Sequence, residues 1–258
     1  MKMSNFLIEK CFDTIALLAN EAKSLRLGEI ADRLDLPKST AHKLLRVLCS
    51  IGWIEQNSET GIYGLSLQLA ILGQRFLAAA GIRDVCQPIL DRLAQGSQEL
   101  VRVATVQQDR LAWTALAQGA KAGLIYDHDT TAKVPLHVTA DGKAWLATLT
   151  REAAVKTVLK NGFGQPAAYG PKAVRTIEAI VCELQVTQER GWALAVEEAE
   201  PGVTSIAVAI RPNGGPAVGT VSVAGPILRL SGGKIPEIVR LVCVAANDLA
   251  ALWPCEMY

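Results

Sequence analysis

The stretch LGEIADRLDLPKSTAHKLLRVLCSIGWIEQ, residues 27–56, contains two short amphipathic segments separated by Asp35-Leu36-Pro37. In the second segment, apolar residues recur at three- and four-residue steps, which is typical of a helix with one buried face. Pro37 can begin this helix, because a first-turn residue needs no N–H partner, and Gly52 can end it in a left-handed conformation. We expect the buried face to consist of Ala41, Leu44, Leu45, Leu48 and Ile51.

The flanking residues predict a winged helix-turn-helix. Residues 5–20 and 28–35 have the apolar periodicity of two further helices. After Gly52, the segments WIEQ (53–56) and IYGL (62–65) are separated by a polar turn, which predicts a β-hairpin. Residues 66–80 contain no turn signal, so we expect a rigid connecting helix. The predicted organisation is a DNA-binding domain, a linker helix and an effector-binding domain, at residues 1–66, 67–81 and 82–258.

The outward face of the helix after Pro37 predicts DNA binding. In a helix-turn-helix, the second helix enters the major groove, and hydroxyl and cationic side chains contact phosphates and base edges. The predicted DNA-binding residues are Lys38, Ser39, Thr40, His42, Lys43 and Arg46, together with Arg26. Residues 37–53 carry three cations and no acid, whereas residues 1–65 carry eight Lys/Arg and eight Asp/Glu. A merely solvated face is the alternative, but the order of elements and the local charge favour DNA.

From residue 82 onward, the sequence predicts an α+β domain, an antiparallel sheet with helices packed on it. Alternating apolar residues predict strands at 99–108, 110–118, 124–129, 192–198, 203–211 and 217–226. Helical periodicity predicts helices at 82–95, 139–149, 151–160, 172–191 and 234–253. Thr139 or Asp141 is the expected cap of the second of these helices, with Gly142 at its tight entry.

The chain resembles the IclR family of bacterial transcriptional regulators. The motifs that carry this resemblance span residues 25–56, 63–73, 135–149, 189–210 and 218–231, including PLHVTADGKAWLATL and VGTVSVAGPILRLS. With these motifs in the family's order and spacing, the resemblance covers almost the whole chain. The resemblance implies a GAF-like effector-binding domain, dimers or tetramers on palindromic double-stranded operator DNA, and neither a cofactor nor catalysis. We expect a repressor that responds to a small catabolite.

The resemblance also implies an effector pocket on one face of the C-terminal sheet. Its residues would be Thr139, Ala140, Asp141, Gly142, Trp145, Ala195, Ser205, Ser222 and Ala224. Backbone N–H groups at Thr139–Gly142 suit a carboxylate or carbonyl. Ala195 and Ala224 stand where many relatives carry aspartate and serine, and both changes remove a polar partner. We therefore expect a weakly polar effector, either an aromatic or medium-chain organic acid or a neutral compound. Trp113 and Trp192 are further candidate wall residues, although tryptophan is more often a core residue.

Three other functions are considered. Asp127, His128, Asp129 and His137 could bind a metal, but a polar loop accommodates such residues without one. Glu197 and Glu198 could suggest acid–base catalysis, but adjacent strand residues point to opposite faces. The sequence has no GxSxG motif and no phosphate-binding glycine loop. A protein-interaction module that uses its winged helix for another protein is the third alternative.

Composition restricts the partners and the compartment. The net charge is +1, so attraction to DNA must come from a local patch. The six cysteines form no CxxC pair, which argues against a zinc ribbon and favours a reduced, cytoplasmic protein. No run of 18 apolar residues and no secretion signal are present, so no membrane association is expected.

Overall fold

The computed structural model describes residues 2–21, 23–79, 82–126 and 134–253. The chain divides into two compact units, Met1–Ala79 and Ala80–Tyr258. The first unit contains, in order, α1 (Lys2–Asn20), α2 (Leu27–Arg33), α3 (Lys38–Ser50), β1 (Ile54–Gln56), β2 (Tyr63–Leu65) and α4 (Gln68–Ala79). This order confirms the predicted winged helix-turn-helix.

The core of the first unit explains the placement of α3. Four of the predicted apolar residues are buried: Ala41, Leu44, Leu45 and Leu48. The prediction for Ile51 was wrong, because α3 ends at Ser50 and the Ile51 side chain is 53% exposed. Pro37 does not begin α3 but precedes it as the N-cap, with ψ of 136°. Gly52 has φ of +81° and ends the helix as predicted.

The wing is a short antiparallel hairpin. Glu55 in β1 lies opposite Gly64 in β2. The Asn57 side-chain oxygen accepts hydrogen bonds from the N–H groups of Glu59 and Thr60, both at 2.9 Å, which fixes the turn. Leu25 adds a third extended segment, since its N–H donates to the Tyr63 carbonyl at 3.0 Å. The wing is therefore held to the segment that precedes α2.

The second unit is an antiparallel five-stranded sheet with helices on both faces. Its elements are α5 (Ile82–Ser97), β3 (Leu100–Gln107), β4 (Arg110–Gln118), α6 (Ala140–Leu146), α7 (Arg151–Asn161), α8 (Ile177–Arg190), β5 (Ala193–Val196), β6 (Val203–Ile210), β7 (Gly219–Pro226) and α9 (Ile235–Leu252). The strand order is β4-β3-β7-β6-β5. The predicted α+β class is confirmed.

Strand alternation divides the side chains of this sheet between two faces. Val101 and Val103 of β3 point into a core that is completed by α5 and α9. Arg102 and Ala104 point to the opposite face, which α6 covers in part. There, five buried alanines let α6 approach β5 and β6 closely; they are Ala140, Ala144, Ala193, Ala195 and Ala207. We call this group the alanine seam.

Two element predictions need correction. Residues 124–126 form no strand, and the remaining residues of that prediction, 127–129, lie outside the described residues. The helix expected from residue 172 begins at Ile177. The reason is that the N–H groups of Gly170 and Lys172 donate to the carbonyls of Glu198 and Glu197, which holds this segment in a turn beyond the end of β5 and outside the helix. Thr176 then caps α8 by accepting from the Ala179 N–H at 3.2 Å.

The described part of the chain contains neither a membrane-spanning helix nor a disulfide. No helix in it has both the length and the apolar character needed to cross a bilayer. Its five cysteines, Cys11, Cys49, Cys86, Cys182 and Cys243, are free thiols.

Candidate functional site

The outer face of α3 carries the predicted DNA-binding side chains. The exposed ones are Lys38, Ser39, His42, Lys43 and Arg46, and Thr40 is half-buried. Because the apolar residues of α3 face the core, these polar residues share the outward side. No described residue forms an ion pair with Lys38, Lys43 or Arg46. The face therefore presents unopposed positive charge.

The N-terminus of α3 also favours an anionic partner. Its first turn contains no acidic residue, and no side chain caps its N–H groups. Free N–H groups and the helix dipole both favour a phosphate at such a position. Arg26 lies on a different element, where it is exposed at the N-cap of α2 and its N–H donates to Glu29 at 2.7 Å. The structure thus groups six of the predicted residues on α3, whereas Arg26 lies at the start of α2.

In the second unit, the start of α6 is built around Thr139 and Gly142. The Thr139 hydroxyl oxygen accepts from the Gly142 N–H at 3.0 Å and donates to the Pro135 carbonyl at 2.8 Å. A Cβ atom at Gly142 would lie 2.2 Å from the Leu136 carbonyl oxygen, so only glycine fits. Both features match the predicted cap and tight entry.

Asp141 connects α6 to the sheet. Its carboxylate is fully buried and accepts a hydrogen bond from the Thr220 hydroxyl at 2.8 Å. The second carboxylate oxygen lies 3.9 Å from the Arg102 guanidinium. This distance is too long for a hydrogen bond, so Asp141 balances the charge of Arg102 without engaging its donors.

A cavity of about 310 Å³ opens beside this pair, on the sheet face that carries α6. Its lining residues are Arg102, Trp113, Tyr126, Pro135, Thr139, Ala168, Tyr169, Ala199, Glu200, Val203, Ser205 and Ala224. Three predicted effector residues are among them, namely Thr139, Ser205 and Ala224. Ser205 and Ala224 lie directly opposite each other in neighbouring strands. A volume of this size suits a small organic molecule.

The other predicted effector residues do not line this cavity. Ala140 and Ala195 belong to the alanine seam, while Asp141, Gly142 and Ser222 are buried beneath or within α6 and β7. Trp145 is 4% exposed and packs in the core between α6, α7 and α8. Trp192 packs against the opposite core.

A second cavity, of about 400 Å³, lies between α6, α7 and α8. Apolar residues such as Leu146 and Leu184 line it, with Arg151 and Glu189 among its polar residues. None of the predicted effector residues lies in it, so the smaller cavity is the better candidate for the effector site.

Trp113, a candidate wall residue from the sequence, lines the smaller cavity, but sequence reasoning missed the other residues that give it its chemistry: Arg102, Tyr126, Tyr169 and Glu200. Arg102 is 3% exposed, and its guanidinium lies over the Trp113 ring at 4.3 Å from the centroid. The Tyr126 hydroxyl donates to Glu200 at 3.1 Å, and burial raises the pKa of this phenol. The available signal was Arg102 itself, a lone cation at an inward position of the strand LVRVATV.

His137 supports the wall of this cavity through Tyr169. Its ring makes edge contacts with Phe163 and Tyr169, at centroid distances of 4.9 and 5.2 Å. Burial lowers the pKa of His137 to about 4, so the imidazole is neutral at pH 7. The other residues of the considered metal site, Asp127, His128 and Asp129, lie outside the described residues. Within the described ranges, no group of three His, Cys, Asp or Glu could hold a metal.

A buried charge cluster fixes α6 against the end of β5. Lys143 is fully buried and donates to Glu198 at 2.7 Å, to Glu183 at 3.2 Å and to the Leu194 carbonyl at 3.3 Å. Burial raises the pKa of Glu198, and Lys143 opposes that shift. Glu197 instead pairs with Lys172 at 3.0 Å. Glu197 and Glu198 thus have different partners, although they lie beyond the end of β5 rather than within it.

Comparison with known proteins assigns the chain to a family. The profile described as the bacterial transcriptional regulator IclR C-terminal domain matches residues 74–251, and the IclR helix-turn-helix domain matches residues 7–58. The chain belongs to the IclR family. It is 33% identical to the glycerol operon regulatory protein of Streptomyces griseus, over 95% of this chain and 96% of that one. It is 27% identical to the transcriptional repressor IclR of Escherichia coli K12, over 90% and 84% of the two chains.

Solved IclR-family structures have the same fold. An IclR transcriptional regulator from Alicyclobacillus acidocaldarius aligns with a TM-score of 0.79 at 22% identity, over 96% of this chain and 98% of that one. An IclR homolog from Microbacterium hydrocarbonoxydans, complexed with 4-hydroxybenzoate, aligns with a TM-score of 0.75 at 22% identity, over 95% and 97%. The architecture of this chain is therefore that of an IclR regulator throughout.

Proposed function

We propose that this IclR-family protein is a transcriptional repressor that binds operator DNA through α3 and responds to a small organic ligand. The observation that carries the DNA-binding part is the outward face of α3, where Lys38, Lys43 and Arg46 have no acidic partner among the described residues. Membership of the IclR family supports regulation of transcription. The name of the Escherichia coli relative supports repression rather than activation.

We further propose that the repressor is a dimer or a tetramer of the chain. Large apolar side chains of the first unit are exposed: Phe6, Leu7, Ile8 and Phe12 on α1, and Leu67, Ile71 and Leu72 before or within α4. Several large exposed apolar side chains on one helix, as on α1, are typical of protein–protein contacts. A symmetric dimer predicts an inverted-repeat operator with half-sites separated by whole turns of the DNA helix.

The cavity of the second unit is the proposed effector site. Trp113, Tyr126 and Tyr169 supply aromatic surface, and Ser205 supplies a hydroxyl. This lining supports an aromatic or weakly polar organic acid as the effector. The 4-hydroxybenzoate complex of the Microbacterium hydrocarbonoxydans homolog shows that one protein with this fold takes such a compound.

Sequencing of the genomic DNA that co-purifies with the protein tests the proposal. We expect a small set of sites that share an inverted repeat, with genes of a catabolic pathway beside them. Binding to these sites should weaken steeply as salt is raised, because protein–phosphate contacts release counterions. Recovery of no enriched DNA, or a shallow salt dependence, would favour the protein-interaction module instead.

A further inference from the structure

Arg102 is the buried cation of the candidate effector cavity. It lies in β3 between Val101 and Val103, which point to the opposite core. With an exposed fraction of 3%, its guanidinium is removed from bulk water. Burial of a cation is costly unless neighbouring groups compensate for the lost hydration. The groups around Arg102 therefore indicate what this position is built to bind.

The protein satisfies the charge of Arg102 only in part. The Trp113 ring covers one face of the guanidinium at 4.3 Å, and Asp141 lies 3.9 Å from Nη2. Neither of these two contacts is a hydrogen bond, whereas the Tyr126 hydroxyl does form a side-chain hydrogen bond with the Arg102 guanidinium. The Nε and Nη1 atoms of Arg102 are buried and have no hydrogen-bond partner among the described residues. A buried donor without an acceptor costs about 1–3 kcal/mol, and a charged donor costs more.

The remaining lining residues define what else a ligand must offer. Tyr126 and Tyr169 join Trp113 as aromatic walls, which suit a flat ring. Glu200 is the other charged lining residue, and it accepts a hydrogen bond from Tyr126. Glu200 is half-buried, so water screens its repulsion of an anion more than it screens Arg102.

We propose that Arg102 binds the carboxylate of the effector and that this effector is a monocyclic aromatic carboxylic acid. The assignment rests on the proposed function and adds the ligand class and the residue that selects it. The carboxylate supplies acceptors for the Arg102 Nε and Nη1 groups, which have no partner in the described part of the chain, and charge-assisted hydrogen bonds are about twice as strong as neutral ones. The ring packs against the aromatic walls. Neutral compounds of the same shape are discriminated against, because they leave Arg102 with a weaker partner.

The test compares benzoate with benzamide on the full-length protein, by titration calorimetry and by the shift in melting temperature. We expect benzoate to stabilise the wild-type protein and to bind about tenfold or more tightly than benzamide. Arg102→Gln should weaken benzoate binding by about tenfold or more and leave benzamide unchanged. Arg110→Gln, which removes an exposed cation at the start of β4, should behave like the wild type.

Two further measurements keep the test decisive. Arg102→Lys retains the charge opposite Asp141, so it should fold even if Arg102→Gln does not, and it should recover only part of the benzoate affinity. Equal binding of benzoate and benzamide, full affinity in either Arg102 variant, or binding of neither compound would overturn the assignment. Operator binding is measured on the same preparation. Retained DNA binding with a failed ligand test rejects only the Arg102 assignment, whereas lost DNA binding by the wild type rejects the proposed function.

Discussion

Lys143 in α6 and Glu198 beyond β5 form an ion pair inside the protein, with a nitrogen–oxygen distance of 2.7 Å and the lysine fully buried. Removal of one partner from such a pair leaves an uncompensated buried charge. Lys143→Met should therefore lower the free energy of unfolding by about 3–5 kcal/mol, measured by urea denaturation.

An exposed ion pair in the same unit supplies the control. Lys160→Met breaks a contact with Asp109 in which both side chains are about half exposed, and it should cost less than about 1 kcal/mol. If both substitutions lower the free energy of unfolding equally, the interior ion pair contributes no more to stability than a surface pair.

The cationic face of α3 predicts the response of DNA affinity to substitution. Lys43→Ala/Arg46→Ala should weaken operator binding roughly 10- to 100-fold and reduce the slope of log affinity against log salt by about 2. Arg33→Ala is the matched control, because Glu21 already opposes that exposed charge. Fluorescence anisotropy with labelled operator measures both quantities. Unchanged promoter occupancy in the double variant would remove α3 from the DNA interface.

The entry to α6 tolerates no side chain at residue 142. Gly142→Ala places a Cβ atom 2.2 Å from the Leu136 carbonyl oxygen, and the rigid backbone must move to relieve the clash. We expect a loss of more than about 2 kcal/mol of stability. Gly96→Ala in α5 meets only a flexible leucine tip at 3.3 Å, so its effect should stay within about 1 kcal/mol. Thermal denaturation of the two variants side by side makes the comparison, and similar melting temperatures would contradict it.

His137 predicts a stability that depends on pH. Its pKa is lowered from 6.5 to about 4 by burial, so between these values the unfolded chain binds a proton that the folded chain excludes. The contribution of neutral His137 to the free energy of unfolding is therefore fully present above about pH 6.5. It disappears as the pH falls towards 4, a loss of about 2–3 kcal/mol. Urea denaturation from about pH 7 to about pH 4.5 should show a shallower decline for His137→Gln than for wild type. His42→Gln, at an exposed position on α3, should follow the wild-type curve.

The fold was largely predictable because its signals are local. The periodicity of Leu44, Leu45 and Leu48 and the stop at Gly52 place α3 without tertiary information. The start of α8 was not predictable in this way, because hydrogen bonds from Gly170 and Lys172 to Glu198 and Glu197, which are distant in sequence, hold the preceding segment outside the helix. The apolar periodicity of a segment carries no information about such a long-range contact.

The cavity was harder to predict for a related reason. Thr139, Ser205 and Ala224 came from motif positions, and these three do line it. Arg102, Tyr169 and Glu200 lie on three separate elements that only the folded sheet brings together. The inward position of Arg102 in β3 was visible in the alternation of the strand, but its stacking on Trp113 depends on pairing between β3 and β4.

The alanine seam also limits how this protein can change its ligand. Ala195 packs in a cluster with four other buried alanines and is 3% exposed, so an aspartate at this position would require α6 to withdraw from the sheet. The effect of that single replacement would therefore depend on the side chains at Ala140 and Ala144 of α6. A new ligand preference would evolve more easily at lining residues outside the helices, such as Ser205 and Ala224 in the sheet.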